Sequence, residues 1–206
     1  MEPTVFIVDD DNAVRDSLAL LISLRGFPTR TFASADAFLA EVRPDWAGCA
    51  LIDLRMPDMS GLEVQAALVE RGIALPIIII TAHGDVAATR QALKSGALDL
   101  IEKPIDDTEL LAAIRAAWKR DAERRQSGRD AAQLKALRDR LTSREREVLD
   151  QIVAGQHNRE IAQALGISAR TVEVHKARLM EKLRVERIPD LMRAMITADR
   201  DNRADP

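Results

Sequence analysis

The stretch Cys49-Ala50-Leu51-Ile52-Asp53-Leu54-Arg55-Met56-Pro57 decides the reading of the fold. Four apolar residues in a row, with no polar alternation, describe a strand buried on both faces, and such strands belong to parallel sheets covered by helices. The same figure recurs through the first 120 residues, with apolar runs at residues 5–8, 29–32, 77–80 and 98–101. Between these runs Val14, Leu18, Leu21 and Ile22, and then Ala37, Phe38 and Val42, are spaced by three and four residues, which marks one buried helical face. Five βα units in succession predict an α/β fold with a doubly wound, five-stranded parallel sheet and right-handed crossovers. Ligands of such sheets bind beyond the carboxyl ends of the strands, where strand order reverses.

Those ends carry unusual side chains. The first strand runs into Val8-Asp9-Asp10-Asp11, the third ends at Asp53, the fourth at Thr81 before Ala82-His83-Gly84-Asp85, and the fifth at Glu102-Lys103-Pro104. Asp9, Asp10 and Asp53 would converge, and crowded carboxylates need a proton or a cation to neutralise them. Mg2+, a hard ion that prefers oxygen and keeps several waters, suits the site. Thr81 adds a hydroxyl and Lys103 an ammonium, completing a site for a phosphoryl group carried on an aspartate. Asp11 is assigned a different task, the N-cap of the first helix.

The chain of 206 residues has the length of two small domains, and 47% hydrophobic with 31% charged residues excludes disordered, collagenous and membrane classes. Cys49, the single cysteine, has no partner for an internal disulfide. No secretory segment and no run of eighteen apolar residues occurs, so a reduced cytoplasmic location without membrane partners is expected. Charge is uneven along the chain. Residues 1–125 hold 14 Lys and Arg against 20 Asp and Glu, whereas residues 126–206 hold 16 against 13. An acidic half is thus followed by a mildly basic one suited to nucleic acid.

A helical pattern continues from Asp106 to about Arg140 through Leu110, Ile114, Ala117, Ala122, Leu134 and Leu137, interrupted mainly by Gln126-Ser127-Gly128. This predicts a long helical linker, the alternative being a flexible tether, since a Ser-Gly pair weakens a helix. Short helices are expected at residues 143–154, 158–165, 169–183 and 189–197, the first opened by Thr142 or Ser143 with Glu145 and Glu147 at its positive end. Residues 199–206 are polar and expected to be disordered. In Ile161-Ala162-Gln163-Ala164-Leu165-Gly166-Ile167-Ser168-Ala169-Arg170-Thr171-Val172, a small residue, a turn glycine and an apolar anchor have helix-turn-helix spacing. Ser168 caps the second helix, whose surface carries Arg170, Glu173, Lys176, Arg178 and Lys182. His175 has no Cys or His at ligand spacing, which favours packing or a phosphate contact over a metal.

The set Asp9-Asp10, Asp53 with Met56-Pro57 and Gly61, Thr81-Ala82 and Lys103-Pro104 resembles the receiver domain of two-component response regulators. The resemblance implies strand order 2-1-3-4-5 and a phosphoacceptor at Asp53, supplied by a sensor histidine kinase. It implies Mg2+ bound directly by Asp10 and assisted by Asp9, with Asp53 and the backbone carbonyl of Arg55 completing the metal site. Thr81 would hydrogen-bond the phosphoryl group and Lys103 would pair with it. One position departs from the family, because Leu100 stands where an aromatic switch residue is usual.

The stretch from Leu141-Thr142 through Glu160-Ile161-Ala162, Thr171-Val172 and His175 to Lys182-Leu183 resembles the four-helix LuxR-type domain. Together the halves are similar to response regulators of the FixJ and NarL class, on the FixJ-like branch. The resemblance implies base reading by Glu173, Val174 and Ala177, and phosphate contacts by Thr171, Lys176, Arg178 and Lys182, with Arg170 a further DNA-binding residue. It implies promoter DNA and RNA polymerase as partners. It implies dimerisation through Leu191 and Met195 of the last helix, and a receiver homodimer formed on phosphorylation through the helix between strands four and five, strand five and the next helix. The expected domains are a receiver at 1–120, a linker at 121–140, a DNA-binding domain at 141–198 and a tail at 199–206.

Two other classes compete. A haloacid-dehalogenase-like phosphatase also uses an Asp nucleophile with Mg2+, but its nucleophile lies on the first strand beneath cap insertions. Here the expected acceptor lies on the third strand and inter-element loops are short, so activity is expected to be limited to self-catalysed phosphoryl transfer and slow dephosphorylation. The other rival is an interaction-only receiver joined to a structural bundle, which would show no salt-dependent binding to random DNA.

Overall fold

A computed structural model describes residues 2–82, 96–183 and 185. The expected helix at 189–197 with Leu191 and Met195, the tail at 199–206, the helix between strands four and five, and His83 lie outside the described residues. The chain divides between Arg124 and Arg125 into two units.

In the first unit β1 (Thr4–Val8), α1 (Asn12–Leu24), β2 (Thr29–Phe32), α2 (Ala35–Glu41), β3 (Gly48–Asp53), α3 (Gly61–Glu70), β4 (Ile77–Thr81) and β5 (Asp99–Glu102) precede α4 (Asp107–Asp139), which begins in this unit and extends past Arg124. The five strands form one parallel sheet in the order β2-β1-β3-β4-β5. Strand alternation divides the core into two layers, since side chains at i and i+2 share a face. Phe6, Val8, Ala50, Ile52, Ile77 and Ile79 pack with Phe38 and Leu39 of α2 and Val64 and Leu68 of α3. Val5, Ile7, Cys49, Leu51, Ile78 and Ile80 pack on the other side with Leu18 and Ile22 of α1 and Leu110 and Ile114 of α4. Every residue of β3 and β4 is therefore buried, which is why those strands read as unbroken apolar runs. Trp46 stacks on Phe6 at a centroid distance of 4.2 Å, a packing role. Burial pushes the Cys49 thiol up to about 12, so it stays protonated and packs as a small apolar group.

The Asp11 cap agrees with the sequence reading. Asp11 accepts the N–H groups of Ala13 and Val14 at the start of α1. Ser60 and Glu63 form a capping box on α3, fixing where the loop after β3 ends. Helix α4 runs through Gln126-Ser127-Gly128 without a break, and a Cβ on Gly128 would meet nothing within 4 Å.

The second unit contains α5 (Ser143–Val153), α6 (Asn158–Leu165) and α7 (Ala169–Leu183) around Val148, Leu149, Ile152, Ile161, Val172, Leu179 and Leu183, with Leu141 before α5 in the same core. Gly166 ends α6 at φ 66°, the left-handed conformation that lets the chain turn sharply into α7. Ser168 then accepts the N–H of Thr171 at 3.1 Å as the sequence predicts.

Candidate functional site

Parallel strands bring Asp9, Asp53, Thr81 and Lys103 to one end of the sheet. Asp9 follows β1, Asp53 closes β3, Thr81 closes β4, and Lys103 follows β5. The register places Thr81 opposite Glu102, and the N–H of Lys103 donates to the carbonyl of Thr81 at 2.7 Å. Lys103 Nζ donates to Asp53 Oδ1 at 2.7 Å and to Asp9 Oδ2 at 3.0 Å. Burial works against the ammonium's charge, but the hydrogen bonds to Asp53 and Asp9 outweigh it and hold the lysine above its ordinary pKa.

The remaining oxygens are also positioned. Asp53 Oδ2 accepts the N–H of Arg55 at 2.7 Å, which folds the loop after β3 back over the carboxylate. Gly61 allows that loop to close, because a Cβ there would stand 2.7 Å from the Asp53 carbonyl oxygen. Asp9 Oδ1 accepts the N–H of Asp11 at 2.8 Å, and Arg15 of α1 donates from Nη1 to the Asp9 carbonyl at 2.7 Å. Asp9, Asp53 and Thr81 are buried, whereas Asp10 is exposed at the rim.

Sequence reasoning expects three converging carboxylates. Among the described residues no three acidic, His or Cys side chains are gathered closely enough to hold a metal ion. Lys103 lies between two of the three instead, and Asp10 faces solvent. The donor set still suits Mg2+ in its chemistry. The candidate side-chain donors Asp9, Asp10 and Asp53 all offer oxygen, the donor that Mg2+ prefers, although they are not gathered around one point here. Arg15 escaped the sequence reading. Its signal is its place one helical turn after the N-cap Asp11, on the side of α1 that faces back to β1.

In the second unit, Arg170, Glu173, Val174, Ala177 and Arg178 are exposed on α7, opposite the buried Val172, Leu179 and Leu183. Among the described residues, Val174 is one of four large apolar side chains left open to solvent, at 44% exposure. The other three candidates are engaged within the unit. Thr171 Oγ1 and Ser168 Oγ are 2.8 Å apart, Lys176 Nζ donates to Asn158 at 2.9 Å, and Lys182 Nζ donates to buried Glu145 at 2.7 Å. His175 Nδ1 is buried and has no hydrogen-bond partner.

Residues 5–115 match the family described as response regulator receiver domain, and residues 139–195 match the luxR family of bacterial regulatory proteins. FixJ of Rhizobium meliloti strain 1021, a transcriptional regulatory protein, is 44% identical over 92% of this chain and 93% of its own. The response regulator protein TmoT of Ectopseudomonas mendocina is 41% identical over 93% of this chain and 87% of its own. The chain belongs to the response regulators. Among solved structures, the response regulator StyR superposes with a TM-score of 0.83 at 42% identity, covering 95% of this chain and 98% of that one. This response regulator is therefore a phosphorylation-controlled transcriptional regulator with a receiver and a LuxR-type DNA-binding domain, not a classical enzyme. Among the described residues, no helix is long and apolar enough to cross a membrane.

Proposed function

We propose that Asp53 accepts a phosphoryl group from a sensor histidine kinase and that this promotes receiver dimerisation and promoter binding. The observation that carries the reading is Lys103 Nζ, held between Asp53 and Asp9 beside Thr81 at the carboxyl end of the sheet. The Asp53 oxygen bonded to Lys103 is placed so that the ammonium stays beside any group added to that carboxylate, offsetting its charge. Thr81 would donate its hydroxyl to the phosphoryl group, and the Arg55 N–H already orients the other Asp53 oxygen. Asp10, Asp9, Asp53 and the Arg55 carbonyl would hold Mg2+, which supplies charge neutralisation during phosphoryl transfer. The same groups would support self-catalysed phosphorylation from a small donor and slow dephosphorylation.

In this reading residues 1–120 are the receiver, 121–140 the linker and 141–198 the DNA-binding domain, working in the cytoplasm with RNA polymerase as a further partner. Receiver dimerisation would use β5, the start of α4 and the segment between β4 and β5. Glu173, Val174 and Ala177 would read bases, with Thr171, Lys176, Arg178 and Lys182 on phosphates and Arg170 also at the DNA.

The test is intact-mass measurement after incubation with Mg2+ and acetyl phosphate. The parent should gain one phosphoryl group and Asp53→Asn none. Equal labelling of both would refute the acceptor assignment.

A further inference from the structure

The loop that carries Asp10 is tied on both sides while Asp10 itself faces solvent. On one side Asp9 is held by its own side chain, whose two oxygens accept the Asp11 N–H and the Lys103 ammonium. On the other, Asp11 caps α1 through Ala13 and Val14, and its carbonyl accepts the N–H of Arg15 at 3.0 Å. The remaining freedom is the orientation of the peptide plane joining Asp9 to Asp10. Arg15 Nη1 takes the carbonyl oxygen of that plane at 2.7 Å, and Arg15 Nη2 donates to Asn12 Oδ1. A peptide is planar, so fixing its oxygen fixes the N–H and the Cα of Asp10 as well.

We infer that Arg15 is a positioning residue for the metal-binding corner of the receiver, setting the direction in which Asp10 presents its carboxylate. The inference rests on the proposed Mg2+ site. Its distinguishing feature is the choice of partners: the guanidinium donates to two neutral oxygens, the Asp9 peptide carbonyl and the Asn12 amide, rather than to a carboxylate. Arg15 thus orders the acidic loop without neutralising the carboxylates a cation needs. Two effects of opposite sign follow. As a nearby positive charge, Arg15 opposes a divalent ion; as the anchor of the loop, it favours one, and groups that orient metal ligands typically alter affinity by about 10- to 100-fold.

The sign decides between them. Mg2+ alone, without phosphodonor, is titrated calorimetrically into the full chain of the parent, Asp10→Asn, Arg15→Met and Arg15→Lys. Arg15→Met keeps the aliphatic stem and removes both donors and charge, and it should bind about 10-fold more weakly. Arg15→Lys keeps the charge and one donor without the planar fork, and should fall between parent and Arg15→Met. Tighter or unchanged binding by Arg15→Met overturns the inference. If Arg15→Met does not fold, Arg15→Lys decides: weaker binding at unchanged thermal stability upholds the inference, and parental binding overturns it. Asp10→Asn separates the two levels of the argument. Unaltered Mg2+ binding by that variant, or none by the parent, overturns the metal site and the inference with it, whereas loss in Asp10→Asn with parental binding in Arg15→Met overturns the inference alone.

Discussion

Lys182 Nζ, on the helix assigned to DNA, lies 2.7 Å from Glu145 Oε2 in the first turn of α5. The same carboxylate oxygen accepts the N–H of Thr142, completing a capping box, and the Glu145 side chain is only 3% exposed. Lys182 is thus engaged in the helical unit before DNA arrives. Removing it would leave a buried carboxylate with only the Thr142 contacts. Lys182→Met should therefore destabilise the unit by about 1.5–3 kcal/mol, the range for hydrogen bonds to charged groups. It should also weaken binding to specific and random DNA alike. Thermal unfolding with gel shifts on both DNAs checks this; unchanged stability would show the ion pair to be dispensable.

The pair gives the helical unit an acid sensitivity. The hydrogen bond from Lys182 pulls the Glu145 pKa down to about 2, burial opposing it and the Thr142 bonds adding to it. An unfolded glutamate titrates near 4.3 or so. Because the folded value is the lower one, the stabilisation is complete above about pH 4.3 and is lost as pH falls toward about 2. Glu145→Gln should be less stable than the parent at neutral pH and should show a shallower loss of stability across that window. Methyl signals of Val148 and Leu149, followed by NMR, report this unit separately from the receiver.

Much of this was legible because of what the chain must bury. Residues of β3 and β4 face helices on both sides, so their apolar runs were unmistakable, and each ends at a chemically distinctive residue, Asp53 or Thr81. Caps were legible because they are local: Asp11 acts on Ala13 and Val14, and Ser168 on Thr171. The contacts that escaped join distant elements. Asp121 is buried in α4 and accepts the Gly48 N–H at 3.0 Å, across 73 residues of sequence. On periodicity alone it is one more polar residue of a helix. Lys182 read as a surface charge for the same reason, its partner being 37 residues away. The helical pattern through Gln126-Ser127-Gly128 left continuity open, since propensity there opposes periodicity.

Gly128 offers a direct measurement of that conflict. It is exposed inside α4, and an added Cβ meets nothing within 4 Å. Alanine lowers the backbone entropy of the unfolded chain and is the better helix former by about 1 kcal/mol. Gly128→Ala should raise far-UV helical signal or delay its thermal loss, with DNA binding retained. A fall in helicity would mean that the unbroken helix does not describe the protein in solution.

Glu173 tests base reading on α7. Its carboxylate is exposed beside Val174 and Ala177, and carboxylates accept hydrogen bonds from the cytosine amino group. Glu173→Ala should cost about 1–3 kcal/mol at a preferred site and relax preference at one base pair. Selection from a random DNA pool checks it. Identical profiles for parent and variant would remove Glu173 from the readout.

Leu100 and Thr81 occupy neighbouring strands with different prospects for carrying the signal. Thr81 is buried at the end of β4, and its carbonyl accepts the N–H of Lys103, so it is physically linked to the lysine that holds Asp53. Leu100 pairs with Ile79 and packs, half-buried, against the core layer on the α2 and α3 side of the sheet. A modification shifts an equilibrium only by stabilising one state more than the other. In the proposed mechanism the Thr81 hydroxyl meets the phosphoryl group and can supply that difference, whereas Leu100 lies lower on the adjacent strand and contributes packing in either state. Thr81→Ala should therefore remove most of the phosphorylation-induced gain in dimerisation. Leu100→Ala should lose roughly 1–2 kcal/mol of receiver stability, less than a fully buried leucine. It should change dimer affinity by similar factors with and without phosphate. Sedimentation of each variant with and without acetyl phosphate distinguishes the two. If Leu100→Ala keeps basal association but loses the phosphate-dependent gain, the leucine acts as the switch despite lacking a ring, and the assignment to Thr81 fails.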